Sequence, residues 1–393
     1  MAEAIKNKSD TNILALFPFL RTLSPMDVVP DLPGGKPLKG RAAVSNASGR
    51  YEALQRVRVD DGWQRHEDGE DEFGAAKSRT KILVDATRTI ITRNTSPDIP
   101  FDRSINPYRG CEHGCIYCYA RPTHAWLGYS PGLDFETRIL AKPNAPELLA
   151  RELGRKGYRP KPLALGTNTD PYQPIEGKLG ITRGILEVLE RCSHPVTITT
   201  KSATLVRDID ILAEMAKRNL VRVYISVTTL DAGLARSLEP RAASPAKRLD
   251  AIATLIGAEI PTGIMVAPII PALTDHEIEA ILEAGAAKGA KEAGYILLRL
   301  PAEVKALFEE WLRAFYPDRA EHVLASVRET RGGELNDATF GRRMRGQGHY
   351  ADLIARRFAL ARKRLGLDAE NPTRLDSAHF SPPRAGARQL ALF

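Results

Sequence analysis

Apolar and polar residues alternate over residues 161–314 in a pattern that predicts strands and helices in turn. Short runs rich in β-branched residues predict strands, and longer segments with apolar residues three or four positions apart predict helices. The predicted strands are residues 161–169, 195–201, 221–229, 261–270 and 294–300. The predicted helices are residues 181–192, 206–218, 244–257, 275–288 and 302–314.

This alternation implies a parallel sheet wound by right-handed crossovers. A strand leading into the segment near residue 110 brings the count to six, so the predicted fold is α/β, a partial (β/α)6 TIM-like barrel. Functional residues are then expected at the carboxyl ends of the strands. Residues 82–93 alternate apolar and polar positions and predict a strand or arm packed on this core. The predicted divisions are a poorly ordered extension (1–80), the core (81–330), a basic helical region (331–370) and a flexible tail (371–393).

Three of the four cysteines, Cys111, Cys115 and Cys118, lie together in the spacing Cys-x3-Cys-x2-Cys. Three thiolates on one short loop can bind three irons of a [4Fe–4S] cluster and leave the fourth iron without a protein ligand. An open iron can bind and reduce a substrate, unlike a site closed by four cysteines. The spacing therefore predicts a reactive iron–sulfur centre.

The cysteines have two alternative interpretations, a zinc site and a disulfide framework. A Cys3His zinc site could take His113 or His124 as its fourth ligand, but zinc sites more often pair cysteines two by two, and no second Cys-x2-Cys follows. A disulfide framework is not expected in a chain of 393 residues with four cysteines. The pattern favours the open cluster over zinc.

Composition and charge bound the class of protein. Hydrophobic residues make up 43% and charged residues 26% of the chain, which is typical of a soluble globular protein. No apolar run reaches the length of a membrane helix, and residues 12–20 lack the basic start of a signal peptide. An oxygen-labile cluster and few cysteines predict a cytoplasmic location. The net charge of +8 is explained equally by solubility or by a polyanionic partner such as nucleic acid.

Two further segments lie at predicted strand ends, residues 167–174 and 201–202, and a third, residues 239–241, follows the next predicted strand. Together with the cysteine loop they resemble the spore photoproduct lyase branch of the radical S-adenosylmethionine (radical SAM) superfamily, over roughly residues 100–300. The resemblance implies that the open iron chelates the amino and carboxylate groups of SAM. An external electron donor then drives cleavage of SAM to methionine and a 5′-deoxyadenosyl radical, which abstracts hydrogen from a substrate.

The resemblance also suggests roles for single residues. Lys201 is placed to pair with the SAM carboxylate, because a compact cation suits that group. Ser226 corresponds to a polar contact with the methionyl or ribose part of SAM, and Tyr117 is placed to pack on adenine. The side chains predicted to contact cofactor or substrate after the first strand beyond the cysteines are Asn168, Thr169 and Asp170.

One feature departs from the lyase pattern. Spore photoproduct lyases carry a hydrogen-donor cysteine where this chain has residues 167–169, and no cysteine is present there. Cys192 lies on an apolar stripe of a predicted helix and is interpreted as a core cysteine. Tyr172 is a weak candidate for a substitute donor. Arg299, at the end of the last predicted strand, is a weak candidate for binding a substrate phosphate or carboxylate.

Two segments beyond the core suggest partners. Residues 342–348 form a basic, glycine-flanked segment, which fits either a solvated helix cap or contact with a phosphate backbone. The chain ends in Gln389, Leu390, Ala391, Leu392 and Phe393. This tail resembles the peptide by which bacterial replication and repair proteins dock on the DNA sliding clamp. The alternative is that it packs on its own barrel.

The sequence thus favours a radical SAM enzyme acting on DNA or another nucleic acid. Two alternatives stay open, a zinc-stabilised nucleic-acid adaptor without catalytic activity and a radical SAM enzyme acting on a protein or small molecule.

Overall fold

A seven-stranded sheet organises the part of the chain that the computed structural model describes, residues 38–52, 79–368 and 374–383. A smaller sheet of three strands lies beside the cysteine loop. The strands are β1 (Lys81–Val84), β2 (Ile91–Arg93), β3 (Arg103–Ile105), β4 (Tyr108–Arg109), β5 (Arg138–Ala141), β6 (Leu163–Leu165), β7 (Val196–Thr200), β8 (Val221–Ser226), β9 (Thr262–Ile269) and β10 (Ala293–Leu297).

The large sheet has the order β10-β9-β8-β7-β6-β3-β2. Its strands from β3 to β10 are parallel and occur in chain order, and β2 adds antiparallel to β3. Because β2 and β10 remain as two separate edges in the described chain, the sheet does not close into a barrel. The predicted α/β fold with a six-stranded partial barrel is confirmed.

Helices follow the parallel strands and pack against the sheet. Ser244 caps α8 (Pro245–Gly257), because its hydroxyl accepts a hydrogen bond from the Lys247 backbone N–H. None of the described helices is long and apolar enough to cross a membrane. The helices are α1 (Pro122–Ala125), α2 (Leu133–Thr137), α3 (Ala145–Leu153), α4 (Glu176–Leu179), α5 (Ile181–Arg191), α6 (Ile209–Lys217), α7 (Ala232–Leu238), α8 (Pro245–Gly257), α9 (Ile278–Ala287), α10 (Val304–Phe315), α11 (Pro317–Glu329) and α12 (His349–Arg364), with 3₁₀ turns at Thr204–Asp208 and Asp275–Glu277.

Two apolar clusters stabilise these layers. The larger lies between the sheet and helices such as α5, α6 and α9, and is centred on β-branched residues of the central strands. The second surrounds the fully buried Trp311 of α10 and includes Cys115 and Tyr117 of the cysteine loop. The loop is therefore packed against a hydrophobic core rather than projecting into solvent.

The structure changes several predicted boundaries. Residues 82–93 are not one strand, because β1 pairs with β5 in the small sheet and β2 pairs with β3 in the large one. The predicted helix 206–218 begins as a 3₁₀ turn. Strand β10 ends at Leu297, whose N–H bonds to the Met344 carbonyl. Helix α11 is not among the helices predicted from the sequence, although its buried Val323 and Val327 have helical spacing.

Residues 374–383 lie across the amino ends of β7 and β8. The Ser381 N–H donates to the Cys192 carbonyl, and the Asp376 N–H donates to the Asn219 carbonyl, both at 2.9 Å. Cys192 and Asn219 directly precede these two strands. This segment therefore lies at the amino ends of the strands. The cysteine loop lies at the opposite, carboxyl ends.

Candidate functional site

The cysteine loop leaves β4 at Arg109 and reaches α1 at Pro122. Cys111 and Cys115 are buried and Cys118 is half-buried. Two backbone bonds hold the loop, from the Cys111 N–H to the Phe135 carbonyl and from the Ile116 N–H to the Leu238 carbonyl. At Gly114, φ is +68° and an added Cβ would lie 2.8 Å from a Glu136 carboxylate oxygen, so the turn requires glycine.

A buried ion pair shapes the inside of the loop. Arg121, fully buried, donates to the carbonyls of Gly114 at 2.8 Å and Cys115 at 2.9 Å. It also donates to the carboxylate of Glu136 at 2.6 Å. Because both charges are buried and fully engaged, they fix the backbone between the first two cysteines in one conformation.

Residues 38–52, within the predicted N-terminal extension, pack against this pair. The backbone N–H groups of Ala42 and Ala43 donate to the Glu136 carboxylate, and Arg41 donates to the Glu136 carbonyl at 2.8 Å. Ala42 and Ala43 are fully buried. This segment is thus part of the scaffold that supports the cysteine loop.

The surroundings of the thiols favour their neutral form without a metal. Burial, with the charge of Asp170, raises the pKa of Cys111 well above its ordinary value. Burial and Glu239 raise the pKa of Cys115 to about 12, although Lys201 acts in the opposite direction. Neighbouring buried thiolates would repel one another, so deprotonation of Cys111 and Cys115 is expected only when a metal centre binds them.

The structure also places the two histidines of the zinc alternative. Within the described residues, no three His, Cys, Asp or Glu side chains converge on a point where one metal ion would sit. Nδ1 of His113 lies 3.3 Å from Oδ2 of Asp170. His124 packs edge-on against Phe135, and burial lowers its pKa to about 4. In a [4Fe–4S] cluster each cysteine binds a different iron, so the three thiols need not converge on one point.

Asp170 connects the cysteine loop to the strand ends. Its carboxylate accepts hydrogen bonds from the Thr200 hydroxyl at 2.7 Å, the Lys201 N–H at 2.8 Å and the Tyr172 N–H at 2.9 Å, and it faces His113. Burial opposes its ionisation, but His113 and these donors outweigh burial and lower its pKa to about 2. Asp170 therefore positions the loop, and its contact with a cofactor stays a prediction.

The neighbouring candidates are also anchored. The Asn168 N–H donates to the Asn106 side-chain carbonyl at 3.1 Å, and the Thr169 hydroxyl donates to the Tyr108 carbonyl at 2.9 Å. Thr169 is buried, whereas Asn168 is half-buried and keeps side-chain surface for a ligand. The Ser226 hydroxyl donates to the Ala267 carbonyl at 2.9 Å. The roles of these side chains toward SAM remain untested.

Lys201 and Tyr117 come together above a charged network that the sequence did not reveal. The Lys201 Nζ lies 5.8 Å from the Tyr117 ring centre, and the Tyr117 hydroxyl donates to Glu239. Arg248 forms a buried ion pair with Glu239. Burial opposes ionisation of Glu239, but Arg248 and Lys201 outweigh it and lower the pKa of Glu239 to about 2.

Tyr172 and Cys192 lie inside the apolar core. Tyr172 is fully buried, and burial together with the nearby carboxylates of Asp208 and Glu176 raises its pKa well above the ordinary value. Cys192 is buried at the amino end of β7, which confirms its interpretation as a core cysteine. Arg299 follows β10 and stacks on Tyr119, directly after Cys118. The tail residues 389–393 lie outside the described residues.

Comparison with known proteins agrees with this geometry. A sequence profile of the Radical SAM superfamily matches residues 105–285, which include the cysteine loop and the strands from β4 to β9. An uncharacterized protein of Mycobacterium tuberculosis (strain H37Rv) is 38% identical over 222 residues, which cover 56% of this chain and 65% of the relative. An uncharacterized protein of Methanocaldococcus jannaschii is 31% identical over 44% of this chain and 62% of the relative. The matches thus span less than two thirds of these relatives.

Solved structures show the same fold. A spore photoproduct lyase variant superimposes with a TM-score of 0.52 at 17% identity, covering 78% of this chain and 86% of that chain. Spore photoproduct lyase complexed with dinucleoside spore photoproduct gives a TM-score of 0.52 at 16% identity, over 77% and 85% of the two chains. A radical SAM domain implies a [4Fe–4S] cluster and SAM. The match of residues 105–285 to the Radical SAM superfamily thus includes all three cysteines of the loop.

Proposed function

We propose that this protein is a radical SAM enzyme that cleaves SAM reductively and abstracts hydrogen from a substrate. One observation carries the proposal: Cys111, Cys115 and Cys118 lie on a buried, rigid loop at the carboxyl ends of parallel strands in a radical SAM domain. Three thiolates leave one iron open for SAM. When bound, the reduced cluster supplies the electron that cleaves SAM.

The chain's own residues would bind and orient the cosubstrate. Lys201 offers a cation at the end of β7 beside the cysteine loop, which suits the SAM carboxylate. The Tyr117 ring lies next to this cation and is held in place because its hydroxyl donates to Glu239, which pairs with Arg248. Because these groups are buried and already hydrogen-bonded, little reorganisation is needed when SAM binds.

A nucleic acid is the proposed substrate, in a reaction related to DNA repair. The support is the net charge of +8 and the basic segment 342–348, whose Met344 carbonyl pairs with β10 near the cysteine side. The lyase cysteine is absent at residues 167–169, so the final hydrogen transfer is proposed to differ from that of spore photoproduct lyase.

The proposal includes two partners and a location. Reduction of the cluster requires an external electron donor, and the tail Gln389–Leu390 with Leu392 and Phe393 is proposed to bind a DNA sliding clamp. Free thiols and an oxygen-labile cluster favour the reducing cytoplasm.

Anaerobic reconstitution tests the function. Protein reconstituted with iron and sulfide should hold about four irons per chain. With SAM and dithionite it should release methionine and 5′-deoxyadenosine. Candidate DNA labelled with deuterium should then transfer deuterium into 5′-deoxyadenosine. Zinc in place of iron, or iron without SAM cleavage, would refute the proposal.

A further inference from the structure

Arg299 occupies an unusual position at the carboxyl end of β10. Its guanidinium carbon lies 4.4 Å from the ring centre of Tyr119, the residue that follows Cys118. The Tyr119 hydroxyl donates to the Thr167 carbonyl at the end of β6. Tyr119 thus extends from β6 to β10 across the carboxyl ends of the strands and forms an aromatic platform beneath the guanidinium.

Two arginines near Arg299 have protein partners: Arg343 pairs with a carboxylate, and Arg331 donates to backbone carbonyls. Arg343 binds Asp98 through two bonds of 2.6 and 2.7 Å. Arg331 is buried and donates to the carbonyls of Leu297 and Leu298. Arg299, in contrast, makes no hydrogen bond or ion pair with any residue that the structure describes. Its polar N–H groups are therefore free to bind a ligand.

The location of this free cation is the open side of the partial barrel. Asp98 follows β2 and Arg343 lies beside β10, which are the two edges of the sheet, so their ion pair bridges the opening. Arg299 lies next to this bridge, half-buried, and burial lowers its pKa below the ordinary arginine value. An arginine still carries its charge under these conditions, and partial desolvation strengthens its attraction for an anion.

We propose that Arg299, stacked on Tyr119, is a binding subsite for a phosphate group of the substrate. This inference rests on the proposed function, because it assigns the subsite to the substrate of the radical SAM centre. Stacking fixes the plane of the guanidinium, so its fork of N–H donors faces one direction, as two-point recognition of a phosphate requires. Because Tyr119 follows Cys118, a phosphate bound by Arg299 would lie beside the cysteine loop.

The test titrates inorganic phosphate into anaerobically reconstituted protein by calorimetry at low ionic strength, with acetate as a second probe. Arg299→Gln should weaken phosphate binding by about ten- to a hundred-fold. Lys201→Ala should instead weaken SAM binding by about the same factor and leave phosphate binding unchanged. Arg364→Gln is the matched control, because Arg364 pairs with Glu283 at the surface of α12.

The outcomes separate the subsite from the proposed function. Phosphate affinity that is unchanged in Arg299→Gln, or acetate affinity equal to phosphate affinity, overturns the subsite. A loss of SAM affinity in Arg299→Gln as large as in Lys201→Ala assigns Arg299 to SAM and also overturns it. Wild-type protein that binds phosphate through Arg299 but never cleaves SAM supports the subsite and refutes the radical SAM activity.

Discussion

Two buried Cys-x-His segments lie at opposite ends of the parallel strands. Cys111 and His113 are at the carboxyl ends, where His113 faces the carboxylate of Asp170. Cys192 and His194 are at the amino end of β7, where His194 accepts a hydrogen bond from the Tyr158 hydroxyl at 2.8 Å if its Nδ1 carries the proton. Identical spacing therefore occurs in two chemically different environments.

The difference lies in what surrounds each pair. Around Cys111 the chain buries charges in matched sets, with Arg121 on Glu136 and Arg248 on Glu239. Around Cys192 the half-buried ring of Phe380 packs on the half-buried Tyr158 and on the buried His194. Buried charges fix geometry and create fields near a reactive centre, whereas these tilted and edge-on ring contacts contribute packing. Both of these buried ion pairs thus lie at the end of the sheet that carries the cysteine loop.

The largest expected effect comes from the cysteines themselves. Replacing Cys111, Cys115 and Cys118 together by Ala should reduce iron from about four per chain to background and abolish SAM cleavage. Cys192→Ala should retain both, because Cys192 is a core residue at the opposite end. Iron and sulfide analysis with chromatography of 5′-deoxyadenosine measures both quantities. A triple variant that keeps its cluster would contradict the assignment.

The second-largest effect is the stability cost of breaking an ion pair, which should differ between the two ends of the sheet. Arg121→Met leaves Glu136 buried without its partner, and breaking such a pair costs about 3 to 5 kcal/mol. Arg218→Met, which breaks an exposed pair with Glu190 before β8, should cost at most about 1 kcal/mol. Urea unfolding of the metal-free proteins gives both values, and iron content should fall only in Arg121→Met. Equal costs would show that Arg121 does not support the loop.

Low pH should destabilise the protein through His194. This residue packs with Tyr158 and Phe380 near the amino ends of β7 and β8, which we call the aromatic end. Burial lowers the pKa of His194 to about 4 from 6.5, so the unfolded chain takes up the proton first as the pH falls. Stability is therefore full above pH 6.5 and is lost between 6.5 and 4, by about 3 kcal/mol at most. His194→Gln cannot titrate and should flatten this dependence in urea unfolding at several pH values. His124 titrates similarly, so some slope should remain.

The sequence predicted the sheet well because strands and helices differ in apolar period. The parallel strands from β6 to β10 and helices α5, α8 and α9 lie where the pattern placed them. The cysteine spacing likewise pointed to a loop within the segment that matches the Radical SAM superfamily, since three cysteines fall within eight residues of sequence.

The supporting charges could not be predicted in the same way. Glu136 lies in a five-residue helix with no useful period, and its partners Arg121, Ala42 and Ala43 meet it only after folding. The glycine at position 114 beside a cysteine was the available signal that something approaches the loop closely. Tertiary pairs of this kind leave no local pattern in a single sequence.

The smallest effect on chemistry is expected from the tail. Residues 374–383, which precede the tail in sequence, are held at the amino ends of β7 and β8, away from Cys111. A partner bound to Gln389–Phe393 should therefore leave the carboxyl ends accessible. Deleting these five residues should remove micromolar binding to a bacterial sliding clamp and leave SAM cleavage unchanged.

Two measurements decide between docking and a tail that packs on its own barrel. Calorimetry with the isolated peptide should reproduce the affinity of the whole protein, because docking by a linear segment needs no other surface. Deletion should also leave the urea midpoint unchanged. If the peptide does not bind and deletion lowers the midpoint, the tail belongs to the fold. The aromatic end would then serve stability alone, and a partner would have to bind on the side of the cysteines.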